Sequence, residues 1–249
     1  MNKVKIILLT FPFLIGIPCI AHAEGMLQPD DLVGFSFLLV SMGCLAATAF
    51  FFLERNTVAQ GWKTSITVAG IVTGIAFIHS VYLRNIWLST GDSPVTYKYI
   101  EWLITMPLLT IQFYLILSAV KKTSSIIFWK LLIATLIMVS GGYAGEAGYI
   151  LPFLGFIVWM TCWIYILYEI FSGDSGKVVS RSSNENLIAV FGTLRMIITI
   201  GWAVYPLGYV FGYLTGGLDS NTLNIIYNFA DFINKIAFGI IIWTAAKQQ

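Results

Sequence analysis

Hydrophobic and polar positions along the chain fall into long blocks and do not alternate. Past a short leader there are seven apolar stretches, at 32–53, 64–88, 97–119, 126–144, 149–171, 187–214 and 221–245, separated by brief polar connections. Each is long enough to cross the hydrocarbon core of a bilayer, which takes about 20 helical residues. The period-two alternation of a half-buried strand is missing, and backbone groups at membrane depth must find hydrogen bonds within their own segment or in a closed barrel. The pattern therefore predicts an all-α fold, a seven-transmembrane helix bundle, as one domain over 24–249.

The leader has a different pattern. Lys3 and Lys5 form a basic start, Ile6 to Ile17 an apolar centre, and Ala21-His22-Ala23 a small-x-small site before Glu24. That is the layout of a cleavable signal peptide over residues 1–23, and Pro12 and Pro18 argue against an uncleaved span. The connections between the stretches carry turn and charge signals: Glu54-Arg55-Asn56, Gly91-Asp92-Ser93-Pro94, Lys121-Lys122, and a Ser- and Gly-rich loop from Ser172 to Asn186. Arg55, Lys63, Lys121, Lys122, Lys130, Lys177 and Arg181 gather on one side, whereas Asp92, Glu146 and Asp219 mark the opposite loops. The positive-inside rule puts the N-terminus outside and the C-terminus in the cytoplasm. An odd number of spans and an exported leader require the same arrangement.

Composition sharpens this. Of 249 residues 58% are hydrophobic and 10% charged, with a mean hydropathy of +0.83; a soluble domain carries about 25% charged residues. The lipid bilayer is the expected partner. A net charge of +2 and the lack of a basic stripe argue against nucleic acid. Cys44 and Cys162 lie in apolar runs, Cys19 lies in the leader, no CxxC occurs, and His22 and His79 are the only histidines. Neither a disulfide framework nor a metal site is expected, and nothing suggests an enzyme.

The informative residues are ionisable groups at membrane depth, each costly unless paired or hydrated. Asp231 and Lys235, four apart on the last stretch, share one helical face. They read either as a structural ion pair or as a desolvated amine, nucleophilic enough to form a Schiff base with an aldehyde, beside its counterion. On the third stretch Lys98, Glu101, Thr105 and Gln112 fall within an arc of about 60°. This polar seam has the layout of an ion path, although Thr105 and Gln112 would also serve as ordinary interhelical hydrogen-bonding groups. Trp102, Trp163, Trp202, Tyr205 and Tyr227 could wall a bulky apolar ligand or simply pack. Pro107 and Pro206 are expected to bend their helices. His79, mid-helix on the second stretch, reads as a packing residue or as a modulator of Glu101.

These residues resemble the proteorhodopsins, the bacterial branch of microbial rhodopsins. The resemblance runs over the whole chain past the leader and is carried by Tyr99-Ile100-Glu101-Trp102-Leu103, Phe113-Tyr114-Leu115-Ile116-Leu117, Gly145-Glu146-Ala147-Gly148, Gly201-Trp202-Ala203-Val204-Tyr205-Pro206 and Ala230-Asp231-Phe232-Ile233-Asn234-Lys235. It implies all-trans retinal as a Schiff base on Lys235, isomerised by light to the 13-cis form. It also implies Glu101 as counterion and proton acceptor, Asp231 as second counterion, and Trp102, Trp163, Trp202, Tyr205, Pro206 and Tyr227 around the chromophore. His79, Lys98, Thr105 and Glu146 would modulate the proton path. Leu109 stands at the colour-tuning position, where leucine resembles the green-absorbing variety. A bacterial inner membrane and a homo-oligomer, a pentamer or hexamer, are implied as well; Leu38 stands where an interface tryptophan is usual.

Three departures from that pattern set expectations of their own. Glu101 replaces the usual aspartate and moves its carboxylate by a methylene. Lys98 replaces arginine and loses the planar fork of donors. Gln112 occupies the cytoplasmic proton-donor position, and an amide cannot donate a proton at physiological pH. Reprotonation from solvent, a long-lived deprotonated intermediate and slow turnover follow. The expected function is a slow light-driven outward proton pump. The alternatives are a photosensor, whose transducer partner the chain does not reveal, or a seven-helix protein without chromophore. Glu101 argues against a sodium or chloride pump.

Overall fold

The computed structural model describes residues 27–248; the expected signal peptide at 1–23 lies outside the described residues. Seven helical spans cross in sequence, and no strand occurs among the described residues. The first five are α1 (Leu32–Glu54), α2 (Lys63–Thr90), α3 (Lys98–Val120), α4 (Ser125–Glu146) and α5 (Pro152–Phe171). A short α6 (Asp174–Ser180) follows. The sixth span joins α7 (Glu185–Met196), a π-turn (Ile197–Gly201), α8 (Val204–Tyr209) and a second π-turn (Val210–Leu214); α9 (Ser220–Lys247) is the seventh. These limits agree with the apolar stretches to within a few residues, and α6 corrects the reading of 172–186 as wholly loop. Glu146 is a second correction, because it closes α4 and is not in the loop beyond it.

Polar side chains at the ends explain where the helices begin. Asp31 accepts the Gly34 amide at 2.8 Å to cap α1, and its other oxygen accepts the Trp87 indole N–H at 2.7 Å, which ties α1 to α2. Asn184 and Asp219 cap α7 and α9 in the same way. Gly91 ends α2 with φ of +69°, a left-handed conformation that a side chain resists. Where α4 meets α5 the backbones touch: a Cβ on Gly155 would lie 2.7 Å from the Cα of Gly145. Small residues permit that approach, and in lipid such packing takes over from the hydrophobic effect as the force joining helices.

The outer faces are apolar. Leu32, Leu53, Ile100, Trp129 and Ile200 are all more than half exposed, as lipid-facing residues should be. Polar and charged side chains turn inward instead. Lys98, Glu101, Thr105, Gln112, Asn224, Asn228, Asp231, Asn234 and Lys235 are all buried. A bundle that is apolar outside and polar along its axis is built to hold a charge-bearing site at mid-membrane.

Candidate functional site

The centre of the bundle is a four-charge cluster shared by α3 and α9. Lys235 Nζ lies 2.6 Å from Glu101 Oε1 and 3.1 Å from Asp231 Oδ2, and all three side chains are almost fully buried. Both approaches are within charge-assisted hydrogen-bond range of the buried ammonium. The one-turn spacing on α9 stacks Asp231 on Lys235, while α3 brings Glu101 across from the opposite wall.

Each carboxylate is fixed by its own donors. Thr105 Oγ1 donates to Glu101 Oε1 at 3.0 Å, so one oxygen serves both threonine and lysine. Asp231 accepts from Tyr205 O–H at 2.7 Å and from Trp102 Nε1 at 3.2 Å. His79 Nδ1 stands 3.8 Å from Glu101 Oε2, beyond hydrogen-bond reach. The fourth charge, Lys98, donates to Asn228 Oδ1, and Asn228 passes the connection to Ser36 Oγ at 2.8 Å. Two ammonium groups thus face two carboxylates, and this internal neutrality makes burial tolerable.

Aromatic rings enclose the cluster. Trp102 meets Tyr205 and Tyr227 edge-on, with centroids 5.1 and 5.4 Å apart, and Tyr227 O–H donates to the Tyr205 carbonyl at 3.2 Å. Leu109 and Trp202 are buried in the same core, and Pro206 is buried within α8. Trp163 is only half-buried at its edge, with its indole N–H on the Ile198 carbonyl at 3.0 Å. Glu146 accepts the Tyr99 hydroxyl at 2.6 Å and lines an aromatic recess with Trp102, Trp159 and Tyr209. Gln112, at the far end of the seam, is fully buried and donates to the Ser65 carbonyl at 2.9 Å.

Sequence reading missed Tyr99, Trp159, Asn228 and Asn234. One signal was present for the asparagine at 228. Asn224, Asn228, Asp231 and Lys235 follow steps of four, three and four, which confine them to an arc of about 60° on α9. That seam is the counterpart of the one on α3. Asn234 donates to the Gly201 carbonyl at 3.0 Å, a contact between spans that no local spacing announces.

A sequence model of the bacteriorhodopsin-like protein family matches residues 31–249. The blue-light absorbing proteorhodopsin of Gamma-proteobacterium Hot 75m4 is 46% identical over 245 residues, covering 98% of this chain and 97% of that protein. The chain belongs to the bacteriorhodopsin-like family, on its proteorhodopsin branch. It is accordingly a multi-pass membrane protein. The green-light absorbing proteorhodopsin of Gamma-proteobacterium EBAC31A08 is also 46% identical, over 98% of both chains, so overall similarity does not discriminate between the two colours. Among solved structures, the blue light-absorbing proteorhodopsin from Med12 aligns with a TM-score of 0.76 at 48% identity, over 88% of this chain and 99% of that one. The Exiguobacterium sibiricum rhodopsin aligns at 0.78 and 33% identity, over 87% and 96%.

Proposed function

We propose that this proteorhodopsin relative is a light-driven proton pump that carries all-trans retinal on Lys235 and moves protons out of the cell. It would reside in a bacterial inner membrane with its N-terminus outside, after removal of residues 1–23. The residues fit such a group. Lys235 is a buried primary amine flanked by two carboxylates, and Trp102, Tyr205 and Tyr227 form the aromatic cluster beside Asp231. These are the needs of an elongated apolar aldehyde whose nitrogen becomes a cation. When bound, retinal supplies light absorption and an isomerisation that changes the proton affinity of the nitrogen on Lys235.

The 2.6 Å approach of Glu101 Oε1 to Lys235 Nζ carries the reading. At that distance the carboxylate takes the proton with no intervening group, within the reach required of a general base. Thr105 orients the receiving oxygen. Tyr205 and Trp102 donate to the two oxygens of Asp231, which leaves Glu101 Oε1 as the nearer acceptor facing Nζ and Asp231 as the second, balancing charge. Gln112 offers an amide where a proton source would sit, so the Lys235 nitrogen must recover its proton from cytoplasmic solvent, and slowly. Orientation is supported by basic residues in the connections on the C-terminal side, Arg55, Lys63, Lys121, Lys122, Lys177 and Arg181. Assembly into a pentamer or hexamer belongs to the same reading; the exposed Ile71, Ile78 and Tyr82 beside His79 offer α2 as the contact face.

The test is the light-induced pH change of unbuffered cells carrying the coloured protein, with and without a protonophore. External acidification abolished by the protonophore is the expected result. Coloured cells without any pH change would replace the pump with a photosensor. Lys235→Ala should leave no colour after denaturing washes; persistent colour would remove the covalent attachment.

A further inference from the structure

Tyr99 is a buried phenol that takes no part in the charge cluster, yet its neighbours form an ordered series. It stands three residues before Trp102 on α3, and the two rings meet edge-on with centroids 5.0 Å apart. Trp102 in turn bonds to Asp231, so one indole separates Tyr99 from the central carboxylates. Opposite, α4 offers two partners three residues apart. The Tyr143 ring lies 5.7 Å away between centroids, and Glu146 Oε1 accepts the Tyr99 hydroxyl at 2.6 Å. Gly142 makes room for that approach, since a Cβ there would stand 3.0 Å from the hydroxyl oxygen. From Tyr143 the series continues to Tyr149, 6.0 Å between centroids, in the turn after α4. Exposure rises along it, from 4% at Tyr99 to 39% at Tyr143 and 74% at Tyr149.

Tyrosine and tryptophan give up one electron more readily than the aliphatic side chains around them. A phenol that has lost an electron becomes a strong acid. A buried one must pass its proton to a bonded acceptor or carry an isolated positive charge, which apolar surroundings oppose. Tyr99 has that acceptor, and 2.6 Å is the length expected of a hydroxyl donating to an ionised carboxylate. Its neighbours are less well provided. The Tyr227 hydroxyl bonds to a backbone carbonyl, which takes no proton. The Tyr205 hydroxyl bonds to Asp231, but that carboxylate already faces the Lys235 ammonium.

We propose that Tyr99 is a redox-active tyrosine with Glu146 as its proton acceptor, and that Tyr143 and Tyr149 connect it to one-electron oxidants and reductants in the adjoining water. In the oxidising direction an oxygen-centred radical takes one electron from Tyr99 by way of Tyr149 and Tyr143, and is itself reduced to an anion. The Tyr99 O–H bond breaks, the proton joins Glu146, and a neutral tyrosyl radical remains. In the other direction a water-borne thiolate supplies one electron through the same rings and becomes a thiyl radical, while Glu146 returns the proton to Tyr99. An indole oxidised at Trp102 is repaired by an electron from Tyr99, so the wall beside Lys235 is spared. None of these steps requires retinal or pumping.

Flash-quench oxidation of the full chain in lipid nanodiscs tests this. A flash excites tris(bipyridyl)ruthenium(II) in the water, a pentaamminecobalt(III) salt takes its electron, and the ruthenium(III) formed is the oxidant. Rapid freezing and electron paramagnetic resonance, with ring-deuterated tyrosine, record the radicals. The wild type should show a long-lived tyrosyl radical, and Tyr99→Phe should remove it and leave only a brief surface signal. Glu146→Gln should slow formation of the long-lived radical about 10²-fold, as expected when a positioned proton acceptor is lost, and Glu146→Asp should restore part of the rate. Tyr143→Phe and Tyr149→Phe should each lose most of the long-lived signal, whereas Tyr97→Phe, an exposed tyrosine outside the series, should keep it. A long-lived radical that survives Tyr99→Phe, or is missing from the wild type, overturns the assignment. Full yield in both Tyr143→Phe and Tyr149→Phe overturns the route. Formation equally fast in H2O and D2O overturns the proton step, and that comparison needs only the wild type should a Glu146 variant fail to assemble.

Discussion

The two halves of the bundle, on either side of Lys235, are built from different chemistry. In the half that holds the N-terminal end of α9, Lys98 bonds to Asn228 and Asn228 to Ser36, Asn224 bonds to the Ser93 carbonyl, and Tyr99 bonds to Glu146. In the other half the core is Phe113, Ile116, Leu117, Phe191 and Phe238, each no more than 1% exposed. Within that layer the polar side-chain pairs are Gln112–Ser65, Thr48–Thr73 at 2.8 Å and Thr110–Thr135 at 2.9 Å, and titratable pairs such as Lys130–Glu169 and Glu54–Lys247 lie nearer the helix ends. None of the three pairs in the layer contains a titratable group. Under the proposed pump, a proton leaving Glu101 towards the first half would meet Lys98, Asn228 and Ser36, while one entering through the second would have to cross the Phe113 layer. On that reading the first half conducts and the second resists, so the proposed direction and slowness would share one cause.

The comparison can be broken most severely at its centre. Glu101→Gln removes the acceptor on which both halves depend; light-driven acidification should vanish, and absorption should move to longer wavelength because the positive nitrogen loses its nearest anion. Retained pumping would transfer the acceptor role to Asp231. Next in size, Gln112→Glu makes the resistant half resemble the conducting one. Recovery of the proton should accelerate about 10²-fold, the lower end of what a positioned proton-transfer group supplies, and flash absorption would show it. An unchanged recovery would locate the bottleneck elsewhere in the Phe113 layer.

Asn228→Leu attacks the conducting half. It strips Lys98 of its hydrogen bond, which should cost about 1–3 kcal/mol, visible as a lower thermal denaturation temperature together with delayed proton release. The smallest effect concerns the cap of α9. Asp219, outside the spans, has its carboxyl held below the usual carboxylate range by the Thr222 hydroxyl and amide. A depressed folded value means that the cap is fully present above the ordinary carboxylate range and is lost as pH falls through the folded value. Amide exchange at Leu223 and Asn224 should therefore rise in acid, and Asp219→Asn should flatten that dependence.

The sequence made the spans legible because lipid demands it: an apolar run of fixed length has one stable conformation at membrane depth. Lys235, Asp231 and Glu101 were legible for the converse reason, since charge in such a run is too costly to be incidental. Residues whose role is set by a partner on another span were not legible. Tyr99 reads as one more apolar-run aromatic until Glu146 is seen 2.6 Å away, and Glu146 reads as loop until α4 is seen to end on it. The α6 helix escaped because its seven residues are mostly polar and too few to show a periodic apolar face. Hydropathy records depth, whereas the bonds between spans depend on rotation about each helix axis.

Rotation is also where the two π-turns of the sixth span matter. The Trp202 amide bonds to the Ile197 carbonyl at 3.1 Å and the Thr215 amide to the Val210 carbonyl at 2.9 Å, each reaching back five residues instead of four. A π-turn amounts to one extra residue slipped into an α-helix. Each is therefore a phase shift, turning everything beyond it by about 100° relative to an unbroken helix. Deleting one residue from 197–201 would restore regular winding and swing Trp202 and Tyr205 off their wall, disconnecting Asp231 from its tyrosine. The same deletion in 210–214 would turn only the end of the span beyond Tyr209. Two seemingly equivalent one-residue deletions, thirteen positions apart in the chain, would thus leave one bundle without its aromatic wall and the other with it intact.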